Sequence, residues 1–166
     1  MGCPQKYQFG RHSLLEVAIQ CQDEDPATTT FKPLGAVTTK ALSMDGNVIE
    51  INDSSSASGF TENQLATSSI SLSISGNKVR DETSLPNATL VAELMRFRFN
   101  SVNQSISEDP VILVRLTGPD NTLTAYMVLT SISDDMPDAD LSTYSMELVL
   151  ATSPTYPPTL AATVVV

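Results

Sequence analysis

Between Ser68 and Ser75 the chain alternates strictly, with Ile70, Leu72 and Ile74 at one parity and Ser69, Ser71, Ser73 and Ser75 at the other. A period of two sends successive side chains to opposite faces of an extended strand, so this segment has one face for a core and one built of hydroxyls. Such a segment needs a sheet, because a helix would scatter the two sets around its whole surface. Other stretches repeat the theme. Val111–Thr117 and Thr122–Ser131 are β-branched runs joined by Gly118-Pro119-Asp120-Asn121 and read as a hairpin, with Leu123, Ala125, Met127 and Leu129 sharing one face. Thr143–Ala151 sets Tyr144, Met146, Leu148 and Leu150 against Thr143, Ser145, Glu147 and Val149. Ser13–Gln20 and Lys40–Asn52 also read as extended, the second with a turn or bulge at Asp45-Gly46. The expected total is about seven strands.

One segment has helical spacing. Leu90, Val91, Leu94 and Met95 recur near 3.6 residues over Asn87–Phe97, with Glu93 and Arg96 off that face. Ser84 or Asn87 can cap it, and Pro86 is tolerated at a helix start. Arg96-Phe97-Arg98-Phe99 alternates and reads as the start of the next strand. A sheet-rich domain with one amphipathic helix against it is the sum. Two segments fall outside this pattern. Asn52–Leu65 is a run of small polar residues around Gly59-Phe60, a length of loop that is typically used for contact or left unordered. Residues 152–166 hold Pro154, Pro157 and Pro158 and end in three valines, and an apolar end of this kind is expected to dock on something. The Asp134–Asp140 stretch reads as an acidic loop.

At 166 residues the chain is expected to form a single domain, with no room for a separate cofactor domain. Its formal net charge of −10 argues against a protein that grips nucleic-acid phosphates, which requires clustered cations. From Leu116 onward there is no Lys or Arg at all, and the polar surface rests on 38 Ser and Thr residues. No run approaches the roughly 18 apolar residues of a membrane helix. The catalytic inventory is thin: one histidine, His12, and two cysteines, Cys3 and Cys21, with no CxxC, GxSxG or Gly-rich phosphate loop. His12 reads as a surface residue and the thiols as free. Asp134, Asp135, Asp138 and Asp140 are the one candidate hard-cation cluster, but they lack the EF-hand spacing and read as a solvated loop.

Taken in order, HSLLEVAI, the stretch from Gly35 to Glu82, the helix over Asn87–Phe97, the strand pair and the late SISDDMPDADLSTYSMELVLATSP resemble the major tail tube proteins of long-tailed bacteriophages. The resemblance spans about residues 10 to 153. Phe60-Thr61-Glu62 departs from the aromatic–basic–Glu group common in that loop, and the Pro-rich tail has no counterpart. What the resemblance implies is a mainly β, antiparallel sandwich or barrel-like tail tube fold with one flanking α-helix over residues 1–151, followed by the tail at 152–166. It also implies a non-catalytic virion protein without cofactors or metal, assembled in the host cytoplasm. Hexameric rings of this protein would stack into a tube that conducts duplex DNA without specific binding, with tape-measure, terminator and distal tail proteins as partners and no membrane. The expected lumen-facing residues are Ser69, Ser71, Ser73, Thr143, Ser145 and Glu147. The expected inter-ring loop is Asn52–Leu65, through Asp53, Ser54, Ser58, Gly59, Phe60 and Glu62. An inner-tube subunit of a contractile tail, tailocin or secretion machine shares these features. An adhesin-like or carbohydrate-binding β-sandwich would fit the Ser/Thr-rich strands but calls for surface aromatics, and aromatics make up only 5 % of the chain.

Overall fold

A computed structural model describes residues 13–22, 24–51, 62–79, 88–103, 110–137, 141–151, 153 and 155–162. Among them are eight strands and one α-helix: β1 Leu14–Ala18, β2 Lys32–Pro33, β3 Val37–Ile51, β4 Glu62–Asn77, α1 Ala88–Asn103, β5 Val111–Thr117, β6 Asn121–Asp135, β7 Thr143–Leu150 and β8 Thr159–Ala162. The strands form one antiparallel sheet in the order β2-β1-β5-β6-β7-β4-β3, with β8 added to β6. The sheet curls on itself. Lys40 of β3, at one end of this order, donates from Nζ to the carbonyl oxygen of Ser13 at 2.6 Å and to its Oγ at 2.7 Å, next to β1 at the other end.

The curl is what lets a single sheet enclose a core. Leu15 and Val17, Leu72 and Ile74, Ile112 and Val114, Leu123 to Leu129 at odd positions, and Tyr144, Met146 and Leu148 point inward, and Leu90, Val91 and Leu94 of α1 close the interior. Every one of these is buried, and each large apolar side chain removed from water contributes about 1.5–3 kcal/mol. β5 is buried on both faces: its other parity, Val111 and Leu113, joins Tyr126, Ala18 and Ala151 in a second cluster covered by Phe31 and Tyr156. Ser153 is buried, its Oγ accepting from the Tyr156 amide at 3.1 Å, so the Pro-rich segment lies against this cluster before β8 pairs with Asn121–Thr124. The strand forms only after Pro158, where amide donors become available again. The terminal valines lie outside the described residues.

Several expectations need correction. The helix runs to Asn103, six residues past Phe97, and Arg96-Phe97-Arg98-Phe99 is helical. Alternation over four residues is also compatible with helical spacing, and Phe97 packs against the core from a helix. The Asn52–Leu65 segment is not all loop: Glu62–Leu65 belong to β4 and pair with Ile51 to Val48, so Glu62 is a strand residue. β3 passes straight through Asp45-Gly46, and the irregularity falls instead between Asn47 and Val48. A Cβ on Gly46 would stand 2.4 Å from Leu65 Cδ1, the end of an exposed side chain that has room to turn away. Asp134 and Asp135 end β6 rather than opening a loop, because they pair with Tyr144 and Thr143.

Candidate functional site: a hydroxyl-rich sheet face

Four adjacent strands, β3, β4, β7 and the second half of β6, have one face turned away from the core, and the register lines up its side chains row by row. Ser73 sits between Ala41 and Glu147, Ser71 between Ser43 and Val149, and Ser75 between Thr39 and Ser145. On the far side of β7, Glu147 pairs with Ser131, Ser145 with Ser133, and Thr143 with Asp135. Ser69 pairs with Asp45. All six residues singled out on β4 and β7, namely Ser69, Ser71, Ser73, Thr143, Ser145 and Glu147, therefore share one face. The same face draws in Ser43, Ser131, Ser133, Asp45 and Asp135 from strands whose contribution no local pattern announced.

Apart from Ala41 and Val149, the residues named on this face are hydroxyl-bearing or acidic. Among the described residues it carries no Lys or Arg, and its charges, Asp45, Asp135 and Glu147, are all acidic. The hydroxyls bind one another or the sheet: Ser133 Oγ and Ser145 Oγ lie 2.7 Å apart, and Thr130 Oγ1 donates to the Glu147 carbonyl oxygen at 2.9 Å. Hydroxyls held this way present short polar stubs with no flexible charged arm. Lys40 is on the opposite face, where burial lowers its pKa and the oxygens of Ser13 accept its hydrogen bonds.

The remaining candidates separate. His12, Cys3, Asp138, Asp140 and the loop residues Asp53, Ser54, Ser58, Gly59 and Phe60 lie outside the described residues. Cys21 is exposed. Asp134 is not part of an open acidic cluster: one carboxylate oxygen takes Lys78 Nζ, the Asp134 side chain is buried and that of Lys78 half-buried, and the other oxygen, Oδ1, has no hydrogen-bond partner. Among the described residues no group of acidic, His or Cys side chains could hold a metal ion. Also among them, no helix is long and apolar enough to cross a membrane.

No protein-family model matches the chain, and no curated protein matches it by sequence. Solved structures do. The tail of an empty gene transfer agent particle, determined with C6 symmetry, is similar at TM-score 0.60 and 17 % identity, covering 95 % of this chain and 100 % of that one. The SPP1 tail tube is similar at TM-score 0.59 and 11 % identity over 95 % and 81 % of the two chains. A chain of the six-fold anti-feeding prophage baseplate is similar at TM-score 0.55 and 10 % identity over 96 % and 97 %. The chain has the phage tail tube fold: a curled antiparallel sheet with, among the described residues, one α-helix packed on its core.

Proposed function

We propose that this protein is a non-catalytic subunit of a phage tail tube, assembled as hexameric rings that stack around a channel for duplex DNA. The carrying observation is the cation-free hydroxyl and carboxylate face spread over four adjacent strands of a tail tube fold. Duplex DNA carries about one negative charge per 1.7 Å of axis, so Lys or Arg on a channel wall would form ion pairs and hold it. Ser, Thr, Asp and Glu offer no such partner, and a wall made of them lets DNA slide. The two edges of the four-stranded face are available for ring closure, since edge strands that meet the next copy are no longer exposed.

Residues 52–61, which join β3 to β4 in the sequence, are the candidate contact with the next ring. Replacing them with a two-residue Asn-Gly turn while keeping Glu62–Leu65, which β4 needs, is expected to leave a folded subunit that forms rings but not long tubes. Negative-stain microscopy of the purified protein, alone and with tail partners, tests the whole reading. Six-fold rings or tubes are expected; a protein that stays monomeric at high concentration overturns it. A contractile inner tube would look the same in this assay and differs by binding a sheath protein.

A further inference from the structure

Where β5 turns into β6, a groove of about 420 Å³ is walled by Leu42 and Met44 of β3, Leu116 of β5, Leu123 of β6 and Leu160 of β8. Its walls continue the core parity of the sheet: Leu42 pairs with the buried Leu72, and Leu160 with the buried Leu123. The outer part of this strip is nonetheless open to solvent, with Met44 56 % and Leu160 55 % exposed. A core that runs out to the surface as one contiguous apolar groove, rather than as scattered single residues, is a surface built to be covered.

The chain itself leads to this groove. β8 runs antiparallel to β6, and its last pair sets Ala162 against Asn121, which also lines the groove. β6 begins at Asn121, and the chain before it turns through Gly118–Asp120, the Gly118 amide donating to the Asn121 carbonyl oxygen at 2.8 Å. The β6 ladder therefore ends at Ala162, and the sequence goes on with Thr163-Val164-Val165-Val166, apolar after the threonine and without charge. Leu160 lines the groove, and alternation along an extended chain gives Ala162, Val164 and Val166 the parity of Leu160. Extended chain covers about 7 Å in two residues and about 13 Å in four, so both valines are within reach of the groove from Ala162.

We propose that residues 163–166 continue the direction of β8 and lay Val164 and Val166 into this groove, against Leu42 and Met44 of the same chain, closing the apolar end of the core. The contact lies within one subunit and does not depend on the ring assembly proposed above. Parity selects these residues, and charge favours them over the other end of the chain. Residues 1–12 precede Ser13, which also lines the groove, but they would bring Lys6 and Arg11 toward Lys40. Burial already disfavours the Lys40 charge, and a nearby like charge would disfavour it further. Valine brings no charge, and its branched side chain, stiff at χ1, gives up little freedom when it docks.

Paired cysteines in dilute, unassembled protein test the contact. In a Cys3→Ser, Cys21→Ser background, Met44→Cys with Val164→Cys and a short bismaleimide should give a product of monomer mass with both thiols consumed. Ser43→Cys with Val164→Cys should react at least about tenfold more slowly, because Ser43 pairs with Ser71 on the hydroxyl face although it is one residue away. Equal rates for the two pairs overturn the contact. A 44–164 product found only at dimer mass gives the groove to a second copy and overturns the own-chain assignment. A second measurement needs no cross-link. Val164→Ser with Val166→Ser should lower the melting temperature by at least about 3 °C, and by less when Met44→Ala and Leu160→Ala have already removed the walls. An unchanged melting temperature, or the same loss in both backgrounds, overturns the contact. Neither measurement requires rings, so a protein that never assembles overturns the tube reading alone.

Discussion

Replacing Gly76 with alanine puts a methyl group into the junction that holds the hydroxyl sheet to the core. Gly76 lies in β4, opposite Val37 on one side and Tyr144 on the other. A Cβ there would stand 2.7 Å from the Ala36 carbonyl oxygen, 2.7 Å from the Tyr144 hydroxyl oxygen and 2.8 Å from its Cζ. Good van der Waals contact lies near 3.5–4.0 Å, so these neighbours must move. Neither is free to do so. The Ala36 oxygen accepts from the Asn77 amide at 3.0 Å, and Ala36 holds a left-handed φ of 52°. Tyr144 is fully enclosed in the core, and its hydroxyl donates to Gly35 at 3.4 Å. Overpacking a core costs about 1–3 kcal/mol, and disturbing one hydrogen bond adds about 1 kcal/mol. The expected loss is about 2–4 kcal/mol, or roughly 5–15 °C of melting temperature in a domain of this size. With no Trp in the chain, urea unfolding is best followed by far-UV circular dichroism. Tyr144→Phe removes one of the three short contacts, so the double variant should be more stable than additivity predicts by at least about 0.5 kcal/mol. Gly76→Ala within about 0.5 kcal/mol of the parent, at unchanged m-value, would refute the reasoning.

Lys78→Met leaves the buried Asp134 carboxylate without its cation and should cost about 3–5 kcal/mol in urea unfolding, most of it recovered when Asp134→Leu is added. Burial, with the Glu24 charge adding to it, raises the Tyr126 phenol above its ordinary 10.0. A raised pKa means the folded state holds its proton more tightly, so that contribution is complete below pH 10 and is lost as pH rises further. Unfolding titrations should therefore show stability falling above pH 10, with a shallower fall in Tyr126→Phe. Lysines at Ser71 and Ser145 should leave assembly intact and slow DNA ejection, an effect that weakens with added salt; ejection at the parental rate from normal tubes would remove these strands from the channel wall.

The period-two segments were readable because their signal is local. Val111–Thr117 has the same ends in sequence and structure, and Leu123, Ala125, Met127 and Leu129 do share the buried face. Ser69, Ser71 and Ser73 had to lie opposite Ile70 and Leu72 in any strand. The end of α1 was not readable, because Arg96-Phe97-Arg98-Phe99 fits both periods until Phe97 finds the core. The outer part of β4 was hidden for a related reason, although its partner β3 read as extended out to its end. It carries few core residues, and what makes it a strand is pairing with β3, as Glu62 does with Ile51.

Sequence alone determined that this chain would be a sheet with a hydroxyl parity and a single helix, because the alternation of side chains along an extended backbone needs no distant partner. Tertiary structure alone decided how the parities combine. Register set Ser73 beside Glu147 and Ser145 beside Ser133, strand order left β3 and the end of β6 at the edges, and Asp134 found Lys78 from 56 positions away. Those choices depend on loop closure and on filling one interior, which are properties of the whole chain, and they turn scattered serines into a continuous cation-free surface.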